Sequence, residues 1–148
     1  MVGFRRDRVG CIGWLALPLT ALLSMPATVT TPSPAPAVHD IDWGTSPLDL
    51  NLRGFNGERF RFRCPPGKAA PGQVIGSGPY TDGSSICAAA VHAGAIRAAS
   101  GGLVTIEMRP GEAHYYASLS HYVQSLNYDR FWSGSFLVIA PDPADLPP

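Results

Sequence analysis

The segment 84–99 constrains this chain most. Between Asp82 and Arg97 there is no Asp, Glu, Lys or Arg, and residues 84–99 hold seven alanines: Ala88, Ala89, Ala90, Ala93, Ala95, Ala98 and Ala99. With Ile86, Val91 and Ile96 as its larger apolar members, it reads as a helix that is apolar on every side, and such a helix must be buried. Asp82, Ser84 and Ser85 supply oxygens that can cap its N-terminus. Gly101-Gly102 offers a left-handed stop at the other end. The spacing therefore predicts a helix over about Ser84–Ala99, with Gly94 mid-helix, whose small side chains let strands approach closely.

The flanking sequence supplies those strands. Phe60-Arg61-Phe62-Arg63-Cys64 alternates apolar and basic residues, the period-two pattern of a strand with one buried face, and Pro65-Pro66-Gly67 ends it. Val74-Ile75 reads as a second short strand. Leu103–Met108 reads as a third, closed by a turn at Pro110-Gly111. Ala113–Ser118 and Ser135–Ile139 read as two more, the last apolar throughout and expected at the centre of a sheet. The expected fold class is α+β, one central Ala-rich helix surrounded by β-strands. The domain is expected over residues 42–140, followed by a Pro-rich tail at 141–148.

Composition narrows the function. Of 148 residues only 15% are charged, against roughly 25% in an average domain, and eleven basic side chains balance eleven acidic ones. This excludes a nucleic-acid binder that works by bulk positive charge. Arg5, Arg6 and Arg8 precede a window from Val9 to His39 that has no charged residue, and Cys11–Met25 is mostly apolar. A basic start followed by a short apolar run reads as a secretory signal. Residues 1–37 are accordingly read as a signal peptide with a Pro/Thr-rich linker, cut near Ala35-Pro36-Ala37 or Ala27. An uncut anchor would be the protein's one membrane attachment, and Arg5-Arg6 also resembles a twin-arginine export signal. The expected location is secreted or periplasmic.

Loss of Cys11 with the signal leaves Cys64 and Cys87 in an oxidising compartment. A bridge between them would close a loop of about 24 residues and stabilise by roughly 3 kcal/mol. The alternative is a reactive thiol at Cys87, near a helix start that favours thiolate.

The run Val74-Ile75-Gly76-Ser77-Gly78-Pro79-Tyr80-Thr81-Asp82-Gly83-Ser84-Ser85-Ile86-Cys87, continued by Ala88–Ile96, closely resembles the signature of LCCL domains. The resemblance continues through Gly101-Gly102, Leu103–Ile106, Pro110-Gly111, Tyr115 or Tyr116 with Ser118, Gln124-Ser125 and Gly134-Ser135-Phe136. It covers roughly Phe60–Ile139. It implies an extracellular, non-catalytic module with a central helix among strands, and family members have been proposed to bind lipopolysaccharide or anionic glycans. The chain departs from the animal pattern twice. The family's other two cysteines are missing, so its two-bridge pairing does not carry over. Ser120-His121-Tyr122-Val123 stands where the family usually has an Asn-Gly turn.

These readings lead to an exported, non-catalytic LCCL-type binding or adhesion module for an anionic glycan, lipopolysaccharide or cell-surface protein. The competing readings are a structural domain with no ligand of its own and a cysteine-dependent enzyme. No cofactor or metal is expected. The enzyme reading would pair Cys87 with His92 or His114, yet His92 is five residues on and off the i,i+4 stack; it reads better as a buried histidine bonded to backbone. His114, His121 and Glu112 match no zinc spacing. The candidate ligand residues are Arg59, Arg61 and Arg63, which share one strand face with Arg53 and Lys68 nearby and suit phosphate or sulfate. Tyr115 and Tyr116 are further candidates, in an aromatic segment with Tyr122, Tyr128, Phe131 and Trp132. The plainer alternatives are a solvated strand edge and core packing.

Overall fold

The arginine-interleaved strand organises the sheet. A computed structural model describes residues 37–141; the expected signal, most of its linker and nearly all of the Pro-rich tail lie outside the described residues. The elements are β1 (Val38–Asp40), β2 (Arg59–Cys64), β3 (Tyr80–Thr81), α1 (Ile86–His92), β4 (Gly102–Glu112), β5 (Leu119–Ser120), β6 (Val123–Gln124) and β7 (Trp132–Ile139). Five of them form a sheet in the order β1-β2-β4-β7-β3, while β5 and β6 form a separate hairpin. All pairings are antiparallel except β1 on β2. The α+β class is therefore the observed one.

On β2 the period-two reading holds. Phe62 and Cys64 are buried, Phe60 is half-buried, and the arginines take the opposite face. β7 lies inside the sheet between β4 and β3, as its apolar run requires. Ile86, Ile106, Met108 and Phe136 have no solvent exposure and form the centre of the core. β1 lies ahead of the domain start expected at Asp42 and adds an edge strand beside β2.

The helix is shorter than its composition suggests. α1 has seven residues, all buried, and Ser85 rather than Asp82 or Ser84 caps it: Ser85 Oγ accepts from the Ala88 N–H at 3.1 Å. It ends at Gly94, not at Gly101-Gly102. Gly94 takes φ +78°, its N–H donates to the Val91 carbonyl, and the Ala95 N–H donates to the Ala90 carbonyl. These two bonds make a Schellman stop. Glycine is also required there by space, because a Cβ would lie 2.6 Å from Cε1 of His121. The alanines beyond Gly94 leave the helix; Ala95 and Ala98 stay partly buried against the core and Ala99 is exposed.

Three strand expectations are also corrected. Pro110-Gly111 does not turn the chain, because β4 runs on to Glu112. β2 begins opposite Glu107 and the chain before it bonds the Met108 backbone, so at Pro110 β4 has β7 alone as neighbour, and a residue lacking an N–H is tolerated on the unpaired side. Val74-Ile75 forms no strand; Ile75 makes a single bridge to Leu126. Ala113–Ser118 is likewise irregular, with one bridge from Tyr115 to Tyr128. In each case, no continuous partner strand lies alongside to hold the extended run.

Candidate functional site

Cys64 ends β2 and Cys87 lies in the first turn of α1, and both side chains point into the core. The two form a disulfide with Cα atoms 5.7 Å apart, inside the range such bonds require. The bond consumes the thiol that a Cys87 nucleophile would need. His92 is buried at the other end of α1, and both of its ring nitrogens are engaged. Nε2 lies 3.2 Å from the Ser118 carbonyl oxygen and 3.1 Å from the Ser118 hydroxyl. Nδ1 shares a hydrogen bond with the Tyr80 hydroxyl at 2.9 Å. Burial pushes the Tyr80 phenol up to about 12. This histidine clamps the helix end to the β5–β6 region. Among the described residues no three His, Cys, Asp or Glu side chains come together to hold a metal ion. His114 instead stacks on Tyr116.

The arginine face of β2 is present, but carboxylates occupy it. The antiparallel register sets Arg59 opposite Glu107, and Arg59 Nε donates to Glu107 at 3.0 Å. The Arg59 and Arg109 guanidiniums hold the Glu107 carboxyl below its usual range. On the other side, β1 sets Asp40 opposite Arg63, 3.5 Å away. Arg61 is half-buried between these pairs. The aromatic pair divides in the same way. Tyr115 is 2% exposed, and its hydroxyl accepts from the Glu112 N–H at 3.0 Å, so it packs in the core. Tyr116 is exposed.

Arg53 was expected beside the arginine face but sits elsewhere. Its guanidinium forks onto Asp82, which is completely buried, with contacts of 2.7 and 2.8 Å; Trp132 Nε1 donates to the same carboxylate at 2.6 Å. Arg53 therefore anchors a loop and is not a free cation.

The surface that sequence reasoning missed lies at the β5–β6 hairpin. Its two-residue turn is His121-Tyr122, with φ of +47° and +63°. Left-handed geometry at both positions is the type I′ turn that normally takes Asn-Gly, so the turn is kept although the family's residues are not. Neither side chain suits it, and tertiary contacts hold it in place. His121 Nδ1 lies 3.1 Å from the His92 carbonyl oxygen, and its ring covers Gly94. Tyr122 is left fully exposed at the tip. Beside it runs a groove of about 550 Å³, walled by the hairpin tip, residues 68–70 and the turn 96–99. Ala70, Ile96 and Val123 give it an apolar lining, and Lys68 and Arg97 are the two cations along it. Its lining contains no carboxylate, and among the described residues neither cation makes an ion pair. One sequence signal pointed here: an aromatic pair standing where a glycine turn is expected.

A family profile described as the LCCL domain matches residues 41–136. Among curated proteins the chain is similar to Vitrin of Bos taurus, 40% identical over 91 residues that make up 61% of this chain and 14% of that protein. It is also similar to Vitrin of Mus musculus, 39% identical over 85 residues (57% and 13%). Cochlin of Bos taurus is 38% identical over 95 residues (62% and 17%). The chain thus spans less than a fifth of the length of these curated relatives.

Proposed function

The chain belongs to the LCCL domain family, and from that premise we propose that it is an exported, non-catalytic binding or adhesion module, secreted or periplasmic, for an anionic glycan or lipopolysaccharide. The Cys64–Cys87 bond supports export, since such bonds persist in oxidising compartments. The engagement of Cys87 and of both His92 nitrogens in structural bonds supports a non-catalytic role.

The observation that carries the ligand class is the contrast between two cationic surfaces. On β2, Arg59 and Arg63 are paired with Glu107 and Asp40. Along the groove, Lys68 and Arg97 share a lining without a carboxylate. An incoming anion meets uncompensated charge at the second surface, not at the first. The test is binding of the exported chain to immobilised heparin and to lipopolysaccharide across a salt series. We expect salt-weakened binding, lost in Lys68→Glu/Arg97→Glu and kept in Arg59→Ala/Arg63→Ala. Loss in the second variant alone would place the ligand on β2. No binding of either probe at low salt would leave a structural domain with no ligand of this class.

A further inference from the structure

The groove is more apolar than recognition of a sugar or an inorganic anion requires. We propose that it is an acyl-chain site that takes a single-chain amphiphile with an anionic head group. The inference rests on the reading of this groove as the ligand surface and adds the chemistry of the ligand's other end.

The argument begins with the helix stop. Because Gly94 ends α1 one residue after its C-cap, residues 95–99 leave the helix; Ile96 and Ala98 rest partly buried against the core, and with Ala99 they line the groove in place of a helix face. Alanine leaves an open trough where a larger side chain would fill it. Val123, buried on β6, forms part of the lining, and Ile96 is half-buried. A volume near 550 Å³ falls within the roughly 300–1,000 Å³ typical of small-molecule sites. Lys68 and Arg97 bring charge to this apolar trough and suit a carboxylate or phosphate head, whereas a neutral or cationic head gains nothing there. Tyr122 is held outward by a turn that its own backbone disfavours, and this places an aromatic face at the groove's lip. Strain of this kind persists when surrounding contacts impose it, as His121 does through Gly94 and the His92 carbonyl.

The test titrates the exported chain below the micelle concentration with octanoate, decanoate and dodecanoate, using calorimetry, with dodecyl maltoside as the neutral control. Binding should tighten about fourfold for each added methylene that is buried, and the neutral control should bind at least tenfold more weakly than dodecanoate. Lys68→Glu/Arg97→Glu should reduce dodecanoate affinity at least tenfold. Ala98→Phe should block the trough; should that variant fail to fold, the chain-length series in the parent still decides. An affinity that ignores chain length, or equal binding of the neutral control, overturns the proposal. Heparin binding without dodecanoate binding would overturn the acyl site while leaving the anionic-ligand reading intact. Failure of both would overturn both.

Discussion

Asp82 and Arg53 are joined across 29 residues by two short contacts, Nε to Oδ2 at 2.7 Å and Nη2 to Oδ1 at 2.8 Å, with the carboxylate wholly buried and the guanidinium partly in water. Trp132 donates to the same carboxylate and lies under the Arg53 guanidinium, its ring centroid 5.5 Å away. Gly134 makes room for the group, because its missing Cβ is where the Asp82 carboxylate sits. The contact fastens the loop around Arg53 to the turn that leads into α1.

Arg53→Ala would leave the Asp82 carboxylate buried with the indole N–H as its one remaining side-chain donor. Removing one partner of a buried pair costs roughly 3–5 kcal/mol, and the partial exposure of Arg53 places this case near 3 kcal/mol. Urea denaturation of Arg53→Ala, Asp82→Asn and the double variant should show strong coupling. Additive losses would mean that the pair contributes little.

Ala89→Leu should destabilise by about 1–3 kcal/mol, because Ala89 has no solvent exposure and lies within the core cluster, where added volume is costly. Ala93→Leu should stay within about 0.5 kcal/mol of the parent, since Ala93 is exposed at the helix end. Thermal melts of the two variants check that burial runs through α1 and stops at its C-cap.

Removing the Cys64–Cys87 bond should cost about 3 kcal/mol, chiefly by freeing the unfolded chain across a separation of 23 residues. Denaturation of Cys64→Ala/Cys87→Ala beside the parent measures the loss. Mass spectrometry of the unreduced parent should recover the two cysteine peptides linked.

Stability should fall at alkaline pH. Tyr80 is raised from an ordinary value near 10 to about 12 by burial. Its neutral form is favoured in the fold, so its contribution is complete below pH 10 and is lost as pH rises through about 12. Melting temperatures between pH 9 and 11.5 should drop. Tyr80→Phe should flatten part of that drop while costing about 1–3 kcal/mol at neutral pH, where it leaves His92 Nδ1 unpaired.

Tyr122→Gly should stabilise the fold by roughly 0.5–1 kcal/mol. It relieves a left-handed non-glycine residue whose side chain packs on nothing, offset in part by a freer unfolded chain. The same variant should bind the anionic probes more weakly. Higher melting temperature together with weaker binding would show that the strained turn is kept for its aromatic tip.

Features that depend on neighbours along the chain were legible in the residues. Alternation put Phe60, Phe62 and Cys64 on one face of β2 and the arginines on the other. The charge-free run from Gly83 to Ile96 required burial, and the Gly-Ser-Asp signature around it carried the family. Features that depend on a partner distant in sequence emerged only once the chain was folded. Alanine suits a helix interior or a groove wall equally, so where α1 ends was settled at Gly94, where the His121 ring closes over the chain. Pro110-Gly111 carries the residues of a turn and remains extended because β7 holds that stretch of β4 on one side. β4 and β1 bring Glu107 and Asp40 opposite Arg59 and Arg63, and Tyr115, for which the residues allow either ligand contact or core packing, is closed over by the fold. Local periodicity fixes the direction of a side chain, but register between strands fixes what that side chain meets, and register is set by pairings that no short window of sequence contains.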